Sequence, residues 1–214
     1  MNAAVATVNA YQAPTPAPEG ARLIGVTLHV ARDQEVFGEG EPASHVYKVV
    51  RGGVRGFRTL SDGRRQICDF YLPGDVFGIE PGSEYRITAE ALTDSLLVAA
   101  RRGALRPDDG ATARDLWALA MSELRRSQDH ALTLGRRSAS ERVASFLVEM
   151  ADRIGDGLSV DLPMSRQDMA DYLGLTIETV SRALTHLQVS NLIALTGLRS
   201  VSLRRRPALA ELCA

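Results

Sequence analysis

Short apolar runs broken by turn residues fill the first half of the chain, and helical periods fill the second. From Arg22 to about Leu105, the segments Val26–Val30, His45–Val50, Val54–Leu60, Gln66–Tyr71, Tyr85–Leu92 and Ser95–Ala100 read as strands. Gly38-Glu39-Gly40, Arg51-Gly52-Gly53, Ser61-Asp62-Gly63, Leu72-Pro73-Gly74-Asp75 and Glu80-Pro81-Gly82 punctuate them. Such clusters turn a chain because Gly tolerates positive φ and Pro presets φ at a corner. Many short strands at this spacing predict a small barrel or jelly roll.

At about Thr112 the period changes. Ala113, Trp117, Ala120, Leu124, Ser127, Ala131 and Leu134 recur at alternating four and three residues, with no Gly or Pro until Gly135. That is a heptad seam, and it predicts a long helix that pairs with its twin. The small residues Ala120, Ser127 and Ala131 permit close approach. Packing on its own barrel is the competing reading, weakened because the barrel is already a closed unit. Ser138-Ala139-Ser140-Glu141 is a capping box that starts a new helix, with Val143, Phe146, Leu147, Met150 and Ile154 on one face. Gly155-Asp156-Gly157 ends it, and Leu158–Leu162 reads as a short strand. Ser165 is placed to cap a further helix, which turns at Gly174 into another one. Asn191–Leu195 and Ser200–Leu203, joined through Thr196-Gly197, form a hairpin. Three helices with a hairpin predict a winged helix-turn-helix.

The helix after Gly174 has two different faces. Val180, Ala183, Leu184 and Leu187 make an apolar stripe, and Glu178, Ser181, Arg182 and Thr185 lie opposite. The polar side holds an acceptor, a rigid guanidinium fork and hydroxyls, which is the chemistry that reads base edges. Arg182 matches N7 and O6 of guanine, and Glu178 can accept from N4 of the paired cytosine. A charge pair between Glu178 and Arg182 is expected to hold the arginine straight. Ile177 and Ser181 can touch thymine by methyl contact and by hydroxyl. Thr176 is expected to cap this helix, and Thr176 and Thr179 lie where a phosphate meets free N–H groups. An ordinary surface ion pair between Glu178 and Arg182 is the competing reading, but it leaves Ser181, Thr176 and the wing unexplained.

Charge and composition narrow the class. Net charge is −1 over 214 residues, yet residues 162–214 carry six arginines against four carboxylates. A neutral sensor joined to a mildly positive DNA reader fits this. Cys68 and Cys213 belong to no metal-ligand cluster, and the four histidines are scattered. A reducing cytoplasm is expected. No apolar run reaches the roughly 18 residues of a spanning helix, and no secretory signal is apparent. No nucleophile elbow, P-loop or dinucleotide fingerprint appears, so an enzyme is not expected.

With these parts in order, the chain resembles the Crp/Fnr family of transcription regulators over nearly its whole length. The most specific match is Met164–Arg182, and Glu178-x-x-Ser181-Arg182 is the reading motif of its Fnr/FixK branch. Cyclic-AMP-type members have glycine in place of Ser181. Within the branch the chain looks most like the FixK regulators of low-oxygen and nitrogen-fixation genes. The resemblance implies an α+β architecture. Residues 1–20, rich in Ala with Pro14, Pro16 and Pro18, are a flexible tail. Residues 21–110 are a β-roll of the cyclic-nucleotide-binding type, 111–137 a dimerisation helix and 138–214 the winged helix-turn-helix. It further implies a homodimer joined at Trp117, Ala120, Leu124, Ser127 and Ala131. Ser165, Arg166 and Gln167 become phosphate-contacting and positioning residues. The implied target is a TTGAT-N4-ATCAA type of palindrome in double-stranded DNA, and the implied outcome is activation through RNA polymerase, with repression as the open alternative.

Two departures bear on cofactors. Residues 1–20 contain no cysteine, so an iron–sulfur cluster is not expected. Nucleotide-binding members carry Gly-Glu and then Arg-Ser around the phosphate, where this chain has Phe77-Gly78-Ile79-Glu80 and Tyr85-Arg86. No metal and no cofactor are expected. The alternative is a β-roll regulator that answers to an unidentified small molecule.

Overall fold

The computed structural model describes residues 23–104, 110–136 and 138–212. The tail read over residues 1–20, and Cys213, lie outside them. Two four-stranded antiparallel sheets form the N-terminal roll. One has the order β1 (Val26–Val30), β8 (Ser95–Arg101), β3 (His45–Arg51), β6 (Val76–Phe77). The other has the order β2 (Glu35–Phe37), β7 (Thr88–Ala91), β4 (Val54–Thr59), β5 (Arg65–Tyr71). Val49, Val54, Ala89 and Leu97 meet between them, each without exposed surface. The turn before β4 needs Gly52. Its φ is +88°, and a Cβ there would strike Ser95.

Three differences from the expected strands have physical causes. β2 and β6 are too short to show a period of two, and neither was legible. The expected strand Tyr85–Leu92 shortens to Thr88–Ala91. Tyr85 instead pairs its backbone with a loop: its N–H donates to Glu41 O at 2.9 Å, and its carbonyl accepts from Gly40 at 2.8 Å.

The C-terminal half contains α1 (Gly110–Arg136), α2 (Ala139–Ile154), β9 (Ser159–Asp161), α3 (Arg166–Leu173), α4 (Ile177–Val189), β10 (Ile193–Leu195), β11 (Ser200–Leu203) and α5 (Arg206–Leu212). The Ser138–Glu141 capping box is present as expected. The wing sheet has the order β10-β11-β9. α5 was not expected. In the Arg204–Arg206 run, Arg206 clamps both oxygens of Asp152 at 2.6 and 2.9 Å, and Arg204 donates to Asn191 Oδ1 at 2.8 Å.

Roll and C-terminal half share one core. On β5 the register shift opposite Gly56 and Phe57 leaves Cys68 as an extra residue and interrupts the alternation, so Tyr71 enters the roll interior while Ile67 and Phe70 both join α2 and α3. The Phe70 ring lies 6.0 Å from Phe146 and 5.1 Å from Tyr172. α1 docks through one side: Arg126 Nε reaches Asp69 at 3.3 Å, and the His130 ring stacks on Tyr172 at 4.0 Å. The seam lies one position round the helix and faces outward. Trp117 is 67% exposed and Leu124 49%, with Ala120, Ser127 and Ala131 also exposed. The seam is therefore not buried on its own barrel.

Candidate nucleic-acid interface

α3 begins at Ser165. Its hydroxyl accepts from the Asp168 N–H at 3.1 Å, and Asp168 Oδ2 accepts from the Ser165 N–H at 2.9 Å. This satisfies backbone groups that a helix start leaves free. Arg166 follows, and its Nη1 donates to Ser181 Oγ of α4 at 3.4 Å. Gln167 is exposed and donates to Asp171 at 2.7 Å. Gly174 ends α3 at φ +61°, a left-handed cap that glycine adopts without strain. Thr176 then caps α4, accepting from the Thr179 N–H at 3.2 Å, with the two hydroxyls 3.0 Å apart.

The apolar stripe of α4 is buried as the period requires. Glu178, Arg182 and Thr185 stand exposed, Ile177 is exposed at the helix start, and Ser181 is half-buried beside Arg166. Thr185 Oγ1 donates to the Ser181 carbonyl at 3.0 Å. The expected ion pair between Glu178 and Arg182 is absent from those of the described residues. Hydrogen bonds from its own backbone N–H and from Thr176 hold the Glu178 carboxyl below its usual range, and the charge of Arg182 is the weakest contribution. A carboxylate in the first turn is drawn to the free N–H groups and positive dipole end there. Arg182 makes no hydrogen bond or ion pair among the described residues, so its fork is available to a ligand.

Sequence reasoning missed two features. Leu198 at the wing tip is 92% exposed. Asp168 repeats the capping-box pattern of Ser138–Glu141, which could have marked it, but its further partners on the roll had no local signal.

This arrangement, a roll followed by a long helix and a winged unit with an exposed polar row, is matched along its length by known proteins. Residues 27–107 fit the model of the cyclic nucleotide-binding domain, and residues 141–212 that of the Crp-like helix-turn-helix domain. The nitrogen fixation regulation protein FixK of Azorhizobium caulinodans is 47% identical, over 96% of this chain and 86% of that protein. FixK of Rhizobium meliloti is 45% identical, over 92% and 91%. The chain belongs to the Crp/Fnr family of transcription regulators. Within it the chain is FixK-like. Among solved structures, FixK2 from Bradyrhizobium japonicum is similar with a TM-score of 0.86 and 48% identity, over 90% of this chain and 98% of that one. These relatives are regulators and not enzymes.

For a Crp/Fnr protein the roll raises the question of a nucleotide. Its charged and aromatic residues are engaged with one another. Glu80 is buried, and its carboxylate accepts from Arg86 Nε at 2.8 Å and from the Arg86 N–H at 3.2 Å. This carboxylate and guanidinium thus pair with each other. Aromatic rings fill the roll interior: Phe37 stacks on Tyr85 at 3.7 Å and Tyr71 on Phe77 at 4.7 Å. Tyr85 Oη donates to the His45 carbonyl at 2.8 Å, and burial pushes the Tyr47 phenol up. A cleft of 680 Å³ lies elsewhere, between Gly52, Leu72 and Pro73 of the roll and Ser159, Thr196 and Ser200 of the wing. Among the described residues no cluster of His, Cys, Asp and Glu could hold a metal, and no helix is long and apolar enough to cross a membrane.

Proposed function

We propose that the protein acts as a homodimeric transcription activator in the cytoplasm, reading a TTGAT-N4-ATCAA type of palindrome through α4. It does so without an iron–sulfur cluster or a cyclic nucleotide. The observation that carries this is the exposed row of α4, with the Arg182 fork unpaired beside Glu178. In this reading Arg182 takes guanine, Glu178 the paired cytosine, and Ile177 and Ser181 the neighbouring thymines. Ser165, Arg166, Gln167, Thr176 and Thr179 set the module on phosphates. The exposed seam of Trp117, Ala120, Leu124, Ser127 and Ala131 pairs with a second copy, and the bound dimer recruits RNA polymerase. The paired Glu80 and Arg86 support the effector-free part.

Mobility shift tests this with protein purified in air and treated with chelator, with and without cyclic nucleotide. The proposal expects palindrome binding in every arm. Complete dependence on cyclic AMP, or on anaerobic reconstitution, would overturn the effector-free part. A second reading, control by an unidentified small molecule, is favoured by the cleft of 680 Å³. Palindrome binding that appears only in the presence of a cell metabolite extract would support it.

A further inference from the structure

We propose that Arg55 is a positioning residue for DNA reading: a roll guanidinium that orients α3, and thereby fixes the separation of the two reading helices in a dimer. This rests on the role given to α4 above. Arg55 is the second residue of β4, next to Val54, so its side chain leaves the roll on the face away from the roll core. It is nevertheless 9% exposed, because α3 covers it. Its Nη1 donates to Asp168 Oδ1 at 3.1 Å, across 113 residues of sequence. Its Nη2 donates to Asp33 at 3.0 Å and to Glu90, its cross-strand neighbour on β7. The guanidinium is thus anchored in the roll by two carboxylates and reaches α3 through a third.

Asp168 is the hub. It is 3% exposed and its two oxygens have separate tasks. Oδ1 accepts from Arg55 and, at 2.8 Å, from Arg65 of β5. Oδ2 accepts from the N–H and hydroxyl of Ser165, closing the cap of α3. Arg65 also reaches Asp171 one turn on, Nε to Oδ2 at 3.0 Å, and lies 5.3 Å over the Phe57 ring. The residue after the cap, Arg166, touches Ser181 of α4. Side-chain bonds therefore run from β4 to the α3 cap, and the next residue along the backbone, Arg166, bonds the reading helix.

The chain contains an internal comparison. The Ser138–Glu141 box caps α2 with the same chemistry, but its bonds are exposed and involve no roll residue. A cap needs no arginine from the roll, so the partners of Asp168 serve something other than capping. Apolar contact of Ile67 and Phe70 with α2 and α3 already holds the two parts together. Such contact is non-directional and lets one body roll on another. A planar fork on a fixed strand has one good orientation, so it sets rotation. Buried ion pairs add little net stability compared with apolar packing, and their use lies in specifying one arrangement. In a dimer joined at α1, fixing α3 on the roll fixes the distance between the two copies of α4.

The test is competition binding by the full-length dimer on palindromes with spacers of about three, four and five base pairs, plus one with the half-site guanine replaced. Wild type is expected to prefer one spacer by about tenfold or more. Arg55→Met should narrow that to about twofold while keeping the guanine preference, since the reading face is intact. Arg55→Lys keeps the charge but not the fork, and should fall between. Arg182→Ala should do the reverse, relaxing the guanine preference and keeping the spacer preference. Wild-type spacer preference in Arg55→Met overturns the proposal. If that variant fails to fold or dimerise, Arg65→Gln, at a partly exposed position, decides in the same way: a narrowed spacer preference supports the proposal, and an unchanged one overturns it. Wild type with no preference for any palindrome overturns instead the DNA-reading role on which the proposal rests.

Discussion

Leu124→Asp puts the dimer seam to its strictest trial. In the single chain Leu124 is 49% exposed and Trp117 67%, so much of their apolar surface is left for a partner. Full burial of such a side chain contributes about 1.5–3 kcal/mol, so covering the exposed half of Leu124 contributes about 1 kcal/mol per chain. Aspartate forfeits that and adds the cost of desolvating a carboxylate, several kcal/mol if it stays ionised. A twofold interface counts the loss twice. The dimer should weaken at least roughly a thousandfold, about 4 kcal/mol at 1.4 kcal/mol per tenfold. Sedimentation equilibrium over nanomolar to micromolar protein measures this, and far-ultraviolet circular dichroism should show unchanged helix content, because Leu124 lies outside the chain's own core. A dimer constant within threefold of wild type would place the interface elsewhere.

Phe70→Ala should cost about 3–5 kcal/mol and melt roll and C-terminal half in one transition, because Phe70 lies in the core they share; scanning calorimetry with two separated transitions would contradict this. Burial holds His130 below the usual histidine value of 6.5, with the charge of Asp69 opposing it. A base with a lowered folded pKa binds its proton later in the folded state, so its contribution is complete above 6.5 and falls as pH drops below it. Melting temperature should therefore decline from neutral pH downward, and less steeply in His130→Phe; equal slopes would assign the decline to other groups. Arg166→Ala should weaken binding to all sequences alike and lower the salt slope by about one per chain, as loss of a phosphate contact does. A salt titration that keeps the wild-type slope would remove Arg166 from the phosphate contacts.

Elements with strong local signals were legible. The Ser138 and Ser165 caps, the long helix ending near Gly135 and the two faces of α4 all follow from spacing and capping chemistry within a few residues. β2 and β6 were not legible, because three and two residues cannot display alternation. α5 opens within the Arg204–Arg206 run and was not legible, because the partner that holds Arg206, Asp152, lies 54 residues away. The Glu178–Arg182 pair was expected from i, i+4 spacing alone, and spacing does not register the pull of free N–H groups on a first-turn carboxylate. Arg55 gave no signal because its meaning lies in a partner 113 residues distant. Contacts within one turn of helix are written locally, and contacts between the roll and the reading unit are not.

The most direct measurement is the affinity of Arg182→Ala for the palindrome and for a duplex with the guanine of each half-site replaced. Loss of a bidentate arginine–guanine contact costs about 1–3 kcal/mol per half-site, so the specific complex should weaken by roughly 30-fold to ten-thousandfold. The two duplexes should then bind almost equally, because the group that distinguished them is gone. If Arg182→Ala still prefers the original palindrome by the wild-type margin, the exposed face of α4 does not read the bases.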